Sequence, residues 1–98
     1  MNELEFGKQL KADGFQEIER QQIDPRPGKG RHRHVFEIRG LVISGTFFVE
    51  QKGEPVAYRA GDIFSVARGE LHDEWVEVDG AQLLVGRKFS EASSEIMS

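Results

Sequence analysis

The sequence predicts an all-β fold, a closed antiparallel barrel or sandwich preceded by one short helix, and three observations predict it. Seven or so short runs rich in Val, Ile, Phe and Tyr follow one another along most of the chain. Turn signals built on glycine separate them at short intervals, as in antiparallel barrels and sandwiches. A helical pattern occurs only at the N-terminus.

Residues 2–13 read as that helix. Asn2 can cap it, Glu5 sits three residues on where a capping-box acid belongs, and Phe6 and Leu10 share a face at i, i+4. Gly14 supplies a left-handed stop before Phe15. Residues 15–23 read as an edge strand, and Asp24-Pro25-Arg26-Pro27-Gly28-Lys29-Gly30 as a loop. From His32 onward the chain reads as β. Lys52-Gly53 and Gly61-Asp62 mark turns, and Asp79-Gly80 is the strongest two-residue hairpin signal, with Ala81 to Val85 expected to pair back. Together these make one domain, 1–98: helix 2–13, barrel 15–89, and a small polar tail 90–98 expected to fray.

Composition narrows the function. The chain has no cysteine, so disulfides, zinc–thiolate sites and a catalytic thiol are excluded. No apolar run approaches the ~20 residues of a membrane span, and the N-terminus lacks a signal-peptide apolar core, so a cytoplasmic protein with no membrane partner is expected. A formal charge of -4 argues against nucleic acid. The charge is uneven: residues 25–39 hold Arg26, Lys29, Arg31, Arg33 and Arg39 against Glu37, a local +4 that leaves -8 for the rest.

All three histidines fall in the β region, as His32-Arg33-His34 and His72. A pair at i, i+2 on a strand turns both imidazoles to one face, because side chains alternate with period two. A third can return to that face from a neighbouring strand. Imidazole is the commonest side-chain metal ligand, so the three together form a candidate facial metal site. Glu74 shares parity with His72 and is expected to face the same interior.

The stretch Gly28 to Gly86 resembles the cupin superfamily, small double-stranded β-helix barrels of jelly-roll type. Their first motif reads G-x5-H-x-H-x3/4-E-x6-G and their second G-x5-P-x-G-x2-H-x3-N. His32, His34 and Gly45 match the first; Gly61, Gly69 and His72 match the second, and fifteen residues separate the motifs. The N-terminal helix, Glu74 and the closing Val85-Gly86-Arg87 are similar to the compact single-domain members. Four positions depart. The leading glycine falls on Arg26, the glutamate ligand on Ile38, the proline on Ala67 and the asparagine on Val76. Glu37 is one residue early and points to the other face unless a bulge intervenes.

The resemblance implies a metal held by His32, His34 and His72; Glu74 is then a fourth ligand, an orienter of His72, a general base or a plain carboxylate at the barrel mouth. Three imidazoles with open positions suit Fe, Mn, Ni, Cu or Zn and not calcium or magnesium. Two functions stay open. One is a metal-dependent enzyme, oxygenase or isomerase/lyase in type, acting on a small anionic or oxygenated molecule. The other is a non-catalytic ligand-binding or sensory barrel without a catalytic metal. Arg39 and Arg87 are the candidate contacts to an anionic small-molecule ligand, since arginine engages carboxylates bidentately. A homodimer is expected from the resemblance, with one of Phe47 and Phe48 at the contact.

Overall fold

Asn2 begins α1 (Glu3–Ala12) as the sequence predicts: its Oδ1 accepts from the backbone N–H of Glu5 at 2.8 Å. The computed structural model describes residues 1–89, so the tail expected to fray, 90–98, lies outside the described residues. Phe6 and Leu10 are buried on one helical face, and Gly14 takes φ 86° where the chain leaves the helix. β1 (Glu17–Ile23) is an edge strand, as expected. No helix among the described residues is long and apolar enough to cross a membrane.

Among the described residues, five strands replace the seven or so short ones expected. Two of them, β2 (Phe36–Gln51) and β5 (His72–Phe89), run for 16 and 18 residues. They pair with each other along nearly their whole length. β3 (Glu54–Arg59) pairs with the second half of β2 through the Lys52-Gly53 hairpin, and β4 (Ile63–Val66) with its first half. The first half of β2 and the second half of β5 therefore build one layer with β4 and β1. Their other halves build a second layer with β3, widened by isolated bridges from Arg26 to Val76 and from His32 to His72.

The Asp79-Gly80 signal does not reverse the chain. Residues on both sides of it pair with β2 in the same sense, Val76 with Phe47 and Ala81 with Gly45, so the extra residues form a bulge. β2 and β5 bend together here. Gly45 (φ 76°) and Gly80 (φ 64°) face each other at the bend, and a Cβ on Gly45 would strike the carbonyl of Gly80. A turn-forming dipeptide bends a strand when its flanks already have a partner, which no local pattern reveals. A second correction concerns where the β structure starts. β2 begins at Phe36, so His32 and His34 lie on an irregular segment that only bridges to the sheet.

Alternation then sorts the side chains. Val42, Phe47, Val49, Phe64, Val66, Val76, Leu83 and Val85 form the core between the layers. Phe6, Leu10, Phe15, Leu41 and Leu84 form a second cluster between α1 and the outside of the sheet. Val85-Gly86-Arg87 straddles the two. Val85 and Arg87 face inward, while a Cβ on Gly86 would lie 2.9 Å from the Leu10 methyl groups, so glycine here seats the helix.

Candidate metal centre

The loop carrying His32 and His34 is pinned to the sheet by its backbone. His32 and His72 exchange both N–H···O=C bonds, each 2.9 Å, and the Gly69 N–H donates to the carbonyl of His34 at 2.9 Å. The Lys29 N–H donates to the Asp73 carboxylate at 3.0 Å. Gly28, two residues later than the motif's glycine, lies where a Cβ would collide with that carboxylate. An irregular segment thus acquires the rigidity of a strand at the points that aim the rings.

The three rings converge. Centroids lie 4.4 Å apart for His32 and His72, 5.0 Å for His32 and His34, and 5.1 Å for His34 and His72. One nitrogen from each falls within 4.8 Å of the others. Nδ1 of His32 lies 3.0 Å from the Gly30 carbonyl, and Nδ1 of His72 lies 3.1 Å from the Glu70 carbonyl. A carbonyl oxygen only accepts, so each Nδ1 carries the proton and, in the neutral ring, leaves Nε2 with a lone pair. Such a backbone partner is how metal-binding imidazoles are held in orientation. The His34 ring stacks on Phe36 at 4.8 Å and 10°. Burial, then the nearby His72 and His32, lower its pKa below the ordinary imidazole value and favour the neutral, ligating form.

His72 is 0% exposed and its Nε2 has no hydrogen-bond partner. Native proteins rarely leave a buried polar atom unsatisfied. A lone pair aimed at two other imidazoles is satisfied by a cation, so the residues present fit a bound metal ion.

Glu74 does face the interior, as its parity predicts. Its Oε2 lies 3.9 Å from Nε2 of His72, and it stands outside the three-nitrogen group itself. Arg26 holds it, with Nη2 donating to Oε1 at 3.3 Å and Nη1 donating to the Glu74 carbonyl at 3.0 Å. Sequence reasoning counted Arg26 only within the basic loop. Its one signal was an arginine where the resembled motif has glycine.

Beside the imidazoles lies a cavity of about 320 Å³. Gln21, Arg26, Lys29, His34, Glu74 and Arg87 form its polar wall, and Phe36, Ile38, Phe47, Phe64, Leu83 and Val85 its apolar floor. Ile38, at the position of the motif's glutamate, is directly opposite Arg87 across the β2–β5 pair. Arg87 therefore reaches the cavity as expected of a ligand contact, whereas Arg39 does not. One residue along from Ile38, Arg39 points outward, where it pairs with Asp13 at 2.6 Å and lies 4.7 Å over the Phe15 ring. Glu37 also faces out, 3.8 Å from Arg39.

No family model matches the sequence, and no curated protein matches it. Solved structures do match its shape. A cupin protein from Bacteroides fragilis superposes with a TM-score of 0.62 at 19% identity, over 76% of this chain and 66% of that one. A predicted oxalate decarboxylase from Thermotoga maritima superposes with a TM-score of 0.66 at 19% identity, over 85% and 74%. The EutQ protein of Clostridium difficile gives 0.65 at 15% identity over 76% of this chain and 56% of its own length. The protein has the cupin fold. Within that fold it carries a three-imidazole cluster able to hold a metal ion.

Proposed function

We propose that this protein is a small metal-dependent enzyme in which His32, His34 and His72 hold one divalent transition-metal ion beside a ligand cavity. The observation that carries this reading is the buried, unpartnered Nε2 of His72, aimed at two imidazoles and supplied by a ring whose other nitrogen is fixed. When bound, the ion would supply Lewis acidity or redox chemistry toward an oxygen of a small anionic or oxygenated substrate.

The chain's own residues do the remaining work. Glu74, with its side chain 20% exposed, is placed to accept a proton from a molecule in the cavity or to join the ligand set. Arg26 holds one carboxylate oxygen and leaves the other toward His72. Phe36, Ile38 and Phe64 give the cavity an apolar floor that would limit water at the reacting end. The oxalate decarboxylase description of the T. maritima protein is compatible with lyase chemistry, and oxygenase or isomerase chemistry fits the same ligands.

Ile38 favours a second reading. An apolar side chain where the resembled motif has a carboxylate suits a non-catalytic ligand-binding barrel. Elemental analysis of the purified protein separates the two. Stoichiometric transition metal, lost in His72→Ala, supports the enzyme. Metal-free protein indifferent to added Fe(II), Mn(II) or Ni(II) leaves the binding module. We also propose a homodimer, supported by the outward-facing Phe48 and Trp75, which stack at 5.6 Å and 3°. Light scattering at the 11.1 kDa of one chain would rule it out.

A further inference from the structure

We propose that the cavity takes a monocarboxylate with a short apolar body, its carboxylate on Arg87 and its body over Ile38, and that it discriminates against dicarboxylates such as oxalate. The inference rests on the cavity being the ligand site of the proposed function and adds the class of ligand.

Arg87 and Ile38 are cross-strand partners on β5 and β2, so a cation and an apolar surface stand side by side on one inward face. Glu17, the cross-strand partner of Arg87, and Glu19, two residues along on the same face of β1, lie 3.6 and 3.2 Å from Nη1 of Arg87 and orient the guanidinium from the edge of the sheet. The Arg87 hydrogen bond to Glu19 runs through Nη1, and no hydrogen bond from Nη2 is found among the described residues. Both carboxylates are over half exposed, so water screens them, whereas the Arg87 side chain is 23% exposed. Its guanidinium carbon lies 5.9 Å from the centre of the Phe36 ring, which begins the apolar floor. Lys29 also lines the cavity and makes no ion pair among the described residues. The fixed guanidinium is the better anchor, because its planar fork matches a carboxylate.

The rest of the cavity sets the body. About 320 Å³ lies at the small end of ligand sites, which run from roughly 300 to 1,000 Å³, so a short aliphatic chain or a single ring fits. Among the protein groups lining the cavity, a second carboxylate would have only the Lys29 ammonium as counterpart, a point charge on a flexible stem with no fork to hold it. Over Ile38 and Phe64 it would lose its hydration without a partner. Toward the imidazoles it would meet Glu74, whose charge already occupies Arg26. A glutamate at position 38 would have made this floor polar; the isoleucine makes it select for an apolar body.

The test is calorimetric titration of the purified full-length protein with benzoate, hexanoate, benzamide and oxalate, with metal content measured on the same sample. We expect benzoate or hexanoate to bind at least tenfold more tightly than oxalate and than neutral benzamide. Arg87→Gln should remove the preference for benzoate over benzamide, Arg87→Lys should restore part of it, and Ile38→Gln should narrow the gap to oxalate. The wild-type comparison stands even if a variant fails to fold. Oxalate binding equal to or tighter than benzoate, benzamide binding as well as benzoate, or no binding of any monocarboxylate would overturn the proposal. The two readings fail separately. Metal-free protein that still selects benzoate keeps this inference and removes the enzyme, and metal-loaded protein that prefers oxalate does the reverse.

Discussion

Leu84 and Val85 are neighbours on β5, yet they belong to surfaces with opposite chemistry. Leu84 turns out to α1, where Phe6, Leu10, Phe15 and Leu41 close an apolar cluster. Polar groups at its rim are paired there: Arg39 with Asp13, and Lys88 Nζ donating to the Asp13 carbonyl at 2.9 Å. Val85 turns inward to a cavity lined by His34 and Glu74, beside the buried His72 whose Nε2 is unsatisfied. One ribbon thus packs a helix on one side and lines a cavity on the other, because alternation assigns adjacent residues to separate environments. The difference teaches that substitutions one residue apart should have separable effects.

The largest separation is expected between His72→Ala and Leu10→Ala. On the proposed function, loss of His72 removes a ligand, so metal affinity should fall by more than the roughly 10–100-fold that loss of an outer hydrogen-bond partner costs. Metal titration with a chromophoric chelator measures it. Leu10 is 0% exposed, and its truncation should cost about 2–5 kcal/mol in urea unfolding while the surviving folded protein keeps its metal affinity. Equal effects on metal affinity from both would erase the distinction between the faces.

Gly86→Ala should come next. Its methyl would crowd the Leu10 side chain and the Phe15 ring, 3.1 Å away, from the sheet side, so about 1–3 kcal/mol of destabilisation is expected. Ligand binding at Arg87, one residue on, should change little. Arg39→Ala should cost only about 0–1 kcal/mol, since the Arg39–Asp13 pair is partly solvated, and should leave ligand affinity unchanged. A large drop in ligand affinity would return Arg39 to the site.

The smallest effect sharpens the geometry of Arg87. Hydrogen bonds from Gln21 and then Arg87 hold the Glu19 carboxyl below its ordinary 4.5. Because that pKa is depressed in the folded state, its small stabilising contribution is complete above the unfolded value and fades as pH falls through the folded one. Carboxyl NMR titration should show the depression, and Arg87→Gln should move Glu19 back toward 4.5. No movement would mean that Glu19 does not orient the guanidinium.

Much of the site was legible in the chain. The spacing of His32, His34 and His72 pointed to three converging imidazoles without coordinates, and the parity of Glu74 with His72 placed it inside. The Lys52-Gly53 turn and the Asn2 cap were readable because each is settled within four residues. Arg39 and Arg87 could not be told apart, since both are arginines near a motif and only the pairing of Ile38 with Arg87 reveals which shares the cavity. Arg26 was hidden for a related reason: its partner Glu74 lies 48 residues away. Asp79-Gly80 misled because its turn chemistry is real but β2 holds both flanks in one direction.

By itself the sequence determined the all-β class, the capped helix, the imidazole trio and the absence of any thiol, all properties of residue type and short spacing. Tertiary structure alone decided that two strands bend together, that Arg26 holds Glu74, and that an isoleucine and an arginine share the cavity. Those outcomes depend on which distant backbones pair and in what register, and a shift of one residue would exchange the inner and outer faces.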